Sequence, residues 1–222
     1  MIKKGNINII NVYKGTTKIE KVYKGTTLIY STSTLPSGYT QCTYLQSTGT
    51  QYINTGIKGK SDLKVEIELE ATTSPTKQGY FGSRTATNVG SFIFLMSSTK
   101  YRSDFNTSLG NISINPTTLA TYPKFKIIKD KNITTIENNA FSDTITYATF
   151  NNNLDMYLFA LNTGGTVGNK ASIKVFSFKV YDNGNLIQNL IPCLDNNNVP
   201  CMYDLVSKNT LYNIGSGTFN YE

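Results

Sequence analysis

The sequence predicts an all-β sandwich, on three observations. Thr, Ile, Val and Asn are plentiful beside 15 Tyr and 11 Phe, whereas the helix formers Ala and Glu are scarce, a mixture that favours strands joined by polar turns. In LKVEIELEA, residues 63 to 71, Leu63, Val65, Ile67 and Leu69 alternate with Lys64, Glu66, Glu68 and Glu70. That period of two marks a strand with one buried and one wet face. Short strand-like runs then follow one another with turn residues between them and no amphipathic helix, which argues for a sandwich or barrel.

The 222 residues suit one large β domain with a small appendage. The appendage comes first. VYKGTT stands at residues 12 to 17 and again at 22 to 27, which predicts a β-meander over about 7–13, 17–23 and 27–31, reversing at Gly15 and Gly25. Ten-residue repeats cannot cover their own apolar face, so residues 1–30 are expected to dock on something else. STSTLPSG at 31–38 has no apolar periodicity and reads as a linker, which leaves 39–222 as the main domain. Within it, GSFIFLMSS (90–98), KFKIIKD (124–130), NITTIENN (132–139), MYLFALN (156–162) and ASIKVFSFKVYD (171–182) read as strands. Hairpins are expected at Asp130 to Asn132 and at Asn183-Gly184.

Charge and composition exclude several functions. The formal net charge is +7, but residues 1–30 hold six lysines (Lys3, Lys4, Lys14, Lys18, Lys21, Lys24) against Glu20 alone, so the excess belongs to that segment. It could touch phosphate, an anionic surface or an acidic partner, and a solvated strand face accounts for it as well. No nucleic-acid motif accompanies it, and nucleic acid is not an expected partner. No stretch approaches the roughly 18 apolar residues of a membrane span, and MIKKGNINIINVYKG lacks a signal-peptide hydrophobic region, so a soluble protein made in a cytoplasm is expected. With no histidine there is no Ser-His-Asp or Cys-His arrangement and no Cys/His zinc set. No phosphate or dinucleotide fingerprint runs from a strand into a helix, and NTGGTVGN at 162–169 reads as a surface loop between strands; no cofactor is expected. Cys42, Cys193 and Cys201 are too few for a disulfide framework. Cys193 and Cys201 flank the turn-like DNNNVP and could face each other across a hairpin, either bridged or as reduced thiols.

Five blocks carry a resemblance that covers about residues 36–221: YLQSTGTQYINTGI (44–57), YFGSR (80–84), YRSDF (101–105), IKVFSFKVYDNGNLIQNLIPC (173–193) and MYDLVSKNTLYNIGSGTF (202–219). In this order they resemble the concanavalin A-like, laminin G-like jelly-roll domains of bacteriophage structural proteins and related bacterial surface proteins. The VYKGTT pair looks like a short repeat that precedes such domains in tail and baseplate proteins. The chain departs from the pattern at VPCMYD, where Cys201 stands in place of a common Gly, and in having no Trp. The resemblance implies a virion protein that assembles with other virion proteins through its N-terminal segment, as a homo-oligomer. It would be a tail, baseplate or fibre component facing host-surface carbohydrate, or a head-fibre or capsid-decorating protein.

The same fold houses glycoside hydrolases, whose acids alternate along one strand as Glu66, Glu68 and Glu70 do. Those enzymes set an Asp between two Glu and line the cleft with Trp; this chain has neither, so no catalytic residue is expected and the three glutamates read as a polar strand face beside Lys64. For a ligand, Arg84, Tyr101, Arg102 and Asp104 combine bidentate donors with an aromatic surface, which suits a sugar. Arg102 and Asp104, two apart on a strand, would equally form an ion pair on one face. A calcium site in the Asn-rich loops stays open, although no EF-hand spacing occurs.

Overall fold

In the computed structural model, LKVEIELEA becomes a central strand of one of two packed antiparallel sheets, and no helix occurs among the described residues. The structure describes residues 35–72, 77–97, 100–112, 124–136 and 141–222, together with the hairpin strands of the N-terminal segment.

Those hairpins are β1 (Lys3–Lys4) with β2 (Ile7–Asn8), β3 (Val12–Lys14) with β4 (Thr17–Ile19), and β5 (Lys21–Lys24) with β6 (Thr27–Ser31). The closing pairs are Lys4↔Ile7, Lys14↔Thr17 and Lys24↔Thr27. The described strands of this segment thus pair as three hairpins. IKKGNI at residues 2–7 is a third, degenerate copy of the repeat.

The first sheet contains β7 (Thr40–Gln41), β8 (Leu45–Gln46), β10 (Leu63–Ala71), β15 (Phe125–Asp130), β16 (Ile133–Ile136) and β17 (Phe141–Thr144). It continues with β21 (Ile173–Asp182), β22 (Asn185–Leu194), β23 (Pro200–Asp204), β24 (Thr210–Tyr212) and β25 (Asn220–Tyr221). Its main path runs β17-β16-β15-β10-β21-β22-β23-β24. The second sheet contains β9 (Ile53–Lys60), β11 (Gln78–Arg84), β12 (Ser91–Met96), β13 (Tyr101–Asn106), β14 (Asn111–Ile112) and β18 (Asn151–Leu158). A small hairpin, β19 (Leu161–Thr163) with β20 (Thr166–Gly168), joins it beside β11. The main path here is β14-β13-β12-β11-β18-β9. Both expected hairpins form. Asp130 pairs with Ile133 around Lys131-Asn132, and Asp182 pairs with Asn185 around Asn183-Gly184. Asn183 and Gly184 have φ of 47° and 81°, the two positive values that a type I′ turn requires.

Alternation fills the space between the sheets. Leu63, Val65, Ile67 and Leu69 from β10 and Val175, Phe178 and Val180 from β21 meet Phe81, Phe92, Phe94 and Tyr101 from the second sheet. Each such side chain stabilises the fold by about 1.5–3 kcal/mol on burial. The rings bridge the layers edge to face, Phe81 on Phe178 at 5.8 Å and Tyr101 on Phe125 at 6.2 Å. Polar side chains also enter this space, Ser103, Thr134 and Lys129 among them. The period of β15 turns Lys129 inward after Phe125 and Ile127, and it is fully buried. Its Nζ donates to Ser103 Oγ at 2.7 Å and lies 4.9 Å from the ring centroid of Phe92 and 5.6 Å from that of Phe105. Removing an ammonium from water costs several kcal/mol, and the hydroxyl and the two ring faces offset part of that.

The other face of β10 carries a charge ladder. Lys64 and Lys126 meet Glu66 at 2.7 and 3.4 Å, Lys124 meets Glu68 at 2.9 Å, and Lys174 meets Glu70 at 3.0 Å. Burial pulls the Glu66 carboxyl upward, but the hydrogen bond from Lys64 and the charge of Lys126 outweigh it and hold the group below its ordinary value of 4.5. The folded-state pKa is therefore the lower one. The stabilisation is complete above about pH 4.5 and fades as pH falls through the folded value.

Two expectations follow from this packing. The difference in melting temperature between wild type and Glu66→Gln should be largest near neutrality and shrink below pH 4.5, as thermal melts across a pH series would record; a constant difference would remove Glu66 from the acid response. Gly82 has φ +126°, and a Cβ there would lie 2.2 Å from the Phe92 carbonyl oxygen and 2.6 Å from Ile93 Cα. Gly82→Ala should cost more than about 2 kcal/mol in urea denaturation, since both the backbone conformation and the space oppose a side chain.

Candidate functional site

The second sheet sorts its side chains by parity. On β12, Phe92, Phe94 and Met96 enter the core, so Ser91, Ile93 and Leu95 take the outer face. Directly paired residues share a face. Ile93 lies opposite both Gly82 and Asp104, Gly82 opposite Tyr157, and Tyr157 opposite Asn54. A single row, Asn54, Tyr157, Gly82, Ile93 and Asp104, therefore crosses five strands. Arg84 lies two residues beyond Gly82 and Arg102 two before Asp104, so both project on this face as well.

At one end of the row, Arg102 grips Asp104 with a fork: Nε donates to Oδ1 at 3.2 Å and Nη2 to Oδ2 at 2.5 Å. Asp104 is fully buried, and burial raises its carboxyl pKa even though Arg102, Lys129 and Arg84 all pull it down. Arg84 is 7% exposed and its Nε donates to Thr163 Oγ1 at 2.9 Å, so the glycine-bearing β19–β20 hairpin packs against it. Burial lowers the Arg84 pKa; Asp104 opposes that and Arg102 adds to it. Ser91, on the same face, buries an Oγ that has no hydrogen-bond partner among the described residues. Two guanidinium groups and one carboxylate give this end a net positive charge.

Of the four residues selected from the sequence, the structure brings three together. Arg84, Arg102 and Asp104 share the outer face, and the Arg102–Asp104 pair is the i, i+2 ion pair that the spacing allows. Tyr101 is separated from them. It follows the opposite parity, is 1% exposed, and sets its ring among Tyr80, Phe94 and Phe125 in the core. An aromatic surface exists elsewhere in the row. Tyr157 and Tyr52 are half-buried, with ring centroids 5.1 Å apart, and Lys170 Nζ lies 5.7 Å from the Tyr52 ring. Beside them Asp155 accepts from Lys58 at 2.7 Å and from Asn54 Nδ2 at 3.0 Å. Burial would raise its carboxyl, but these two donors hold it below the usual range. Tyr157 leaves the core because its neighbours Met156 and Leu158 both enter it.

The alternated glutamates lie on the outer face of the first sheet, apart from this row, each engaged by a lysine.

No family model matches the chain, and no curated protein does. Among solved structures it is similar to domains LG4-5 of the mouse laminin alpha1 chain, with a TM-score of 0.50 and 12% identity over 68% of this chain and 44% of that one. The chain thus spans less than half of that structure, and at this identity the likeness is one of fold. With two antiparallel sheets packed face to face and no helix among the described residues, the main domain has a concanavalin A-like, laminin G-like jelly-roll fold.

Proposed function

We propose that the chain is a carbohydrate-binding structural protein of a bacteriophage virion, a tail, baseplate or fibre component whose jelly roll faces glycans of the host surface. The observation that carries the binding part is the cross-strand row: a tyrosine pair to stack on a sugar ring, and Arg102 held by Asp104 beside Arg84. Sugars are bound by this pairing of an aromatic face with planar donors. The unpartnered Ser91 hydroxyl beside Arg84 favours a polar ligand at that end. The virion part rests on the five sequence blocks and on the repeat before them. The protein would be made in the bacterial cytoplasm and carried in the particle, with other virion proteins or further copies of itself docking on residues 1–30. A head-fibre or decorating protein would use the same domain. A glycoside hydrolase ranks behind both, because the glutamates that could supply its acid pair each meet a lysine.

Without Trp, stacking falls to tyrosine and each site should be weak, so useful attachment requires many copies, whose linkage raises avidity by roughly 10² to 10⁴. Two experiments test the reading. On a glycan array probed with oligomeric protein, Tyr157→Ala should weaken binding about two- to tenfold, the worth of one ring contact. Arg102→Lys should weaken it too, because a lysine keeps the charge and loses the fork. Absence of wild-type binding to every glycan and to host cells would overturn the carbohydrate assignment. Separately, a chain that begins at residue 35 should remain folded by circular dichroism but lose assembly in sedimentation. If it assembles like the full chain, the N-terminal segment is not the docking element.

A further inference from the structure

The first sheet holds a second small apolar cluster on its outer face. Leu190 and Met202 enter the main core, so Cys193, Cys201 and Tyr203 turn the other way, where Leu35 and Tyr39 pack over them. Leu35 belongs to the linker and Tyr39 opens the main domain. This cluster is therefore the joint at which the N-terminal segment meets the sandwich.

Cys193 and Cys201 are directly opposed across β22 and β23, both are fully buried, and their Sγ atoms lie 3.5 Å apart. The hairpin end holds that register. Asp195 N donates to the Val199 carbonyl, and the Asp195 carboxylate accepts from the backbone N–H groups of Asn197 and Val199. Opposed residues in an antiparallel pair have Cα atoms about 4.5–5.5 Å apart, inside the range of about 4.4–6.8 Å that a disulfide spans. Rotation about the two side chains can bring the sulfurs to bonding distance without moving a strand.

We propose that Cys193 and Cys201 are a redox pair that closes to a disulfide in an oxidising surrounding and ties β22 to β23 beneath Leu35 and Tyr39. The oxidant is a low-molecular-weight disulfide. Cys193 as thiolate attacks one of its sulfurs and expels a thiolate; Cys201 then loses its proton, attacks the Cys193 sulfur of the mixed disulfide and expels the second. Two electrons and two protons leave the protein, and one small disulfide becomes two small thiols. Cys193 is the attacking group because the hydrogen bond from Cys201 lowers its pKa against the pull of burial, whereas that same bond and burial raise Cys201. Cys42 is the third thiol nearby. Burial and the charge of Cys193 push it up to about 11, and on that side of β22 the residue paired with Cys193 is Gln41, not Cys42.

The test is to refold the full chain from denaturant in oxidised glutathione, so that access to the buried thiols does not limit the reaction. Free thiols are then alkylated and the bridges mapped by mass spectrometry. The expected result is a single Cys193–Cys201 link with Cys42 alkylated, and a melting temperature roughly 5–10 °C above that of the reduced chain. Cys201→Ala should abolish both the link and the shift, and Cys42→Ala should preserve both. Alkylation of Cys193 and Cys201 after oxidative refolding, or a bridge that includes Cys42, would overturn the proposal. If Cys201→Ala does not fold, the mapped connectivity of the wild type still decides it.

Discussion

Two successive aromatic residues, Tyr80 and Phe81, are both fully buried in the core, and that is the constraint on which the second sheet depends. A regular strand sends neighbours to opposite faces, so both can point inward only if the strand takes in an extra residue. The register of β11 against β12 shifts between Gly79 and Phe81 to provide it. Everything downstream inherits the new parity: Phe81 and Ser83 face in, and Gly82 and Arg84 face out. Without that bulge Arg84 would face the core. The bulge also explains Gly79, where a Cβ would lie 2.2 Å from Leu161 Cγ, the residue that closes over Ile93 and Leu95 on the outer face.

The two sheets treat charge differently, which separates their roles. On the first sheet the ladder of Glu66, Glu68 and Glu70 with its lysines is half-buried and still reaches water, and single pairs there contribute about 0–1 kcal/mol. On the second sheet Asp104 is buried, and one-sided loss of either partner in its fork would leave an uncompensated charge, a cost of several kcal/mol. A pair so expensive to break gains little for stability over an apolar pair of the same shape. Its place on the face with the tyrosine pair suits the recognition role proposed for that face.

The fold was legible in the sequence because its signals are local. The period of β10, the Asn183-Gly184 turn and the Lys131-Asn132 turn each need only a few neighbouring residues to read. The site was half legible for the same reason. Arg102 and Asp104 are two apart, so their shared face follows from strand geometry alone, whereas Tyr101 was grouped with them by nearness in sequence although its odd position sends it inward. Tyr157 was hidden because the run around it reads as uniformly apolar. The third hairpin repeat was hidden because IKKGNI keeps the Lys-Gly pair but replaces the flanking Val-Tyr and Thr-Thr. Contacts across the sheet, such as Tyr157 opposite Gly82, join residues 75 positions apart and depend on pairings that no local pattern encodes.

The placement of the joint bears on how such a protein would present its ligand face. Leu35 and Tyr39 settle on the outer face of the first sheet, with Tyr39 edge to face on Tyr203 at 5.7 Å and its hydroxyl 2.9 Å from Thr210 Oγ1. The tyrosine pair and the arginines lie on the outer face of the second sheet, with the whole core between. A chain that enters on one sheet leaves the opposite one free. Anchoring through the N-terminal segment is therefore compatible with a ligand face turned away from the anchor, and nothing that stiffens the joint need touch the row that would meet a sugar. Separation of this kind suits a protein whose affinity comes from copy number. Each copy must be held firmly at one face while its weak site remains open at the other.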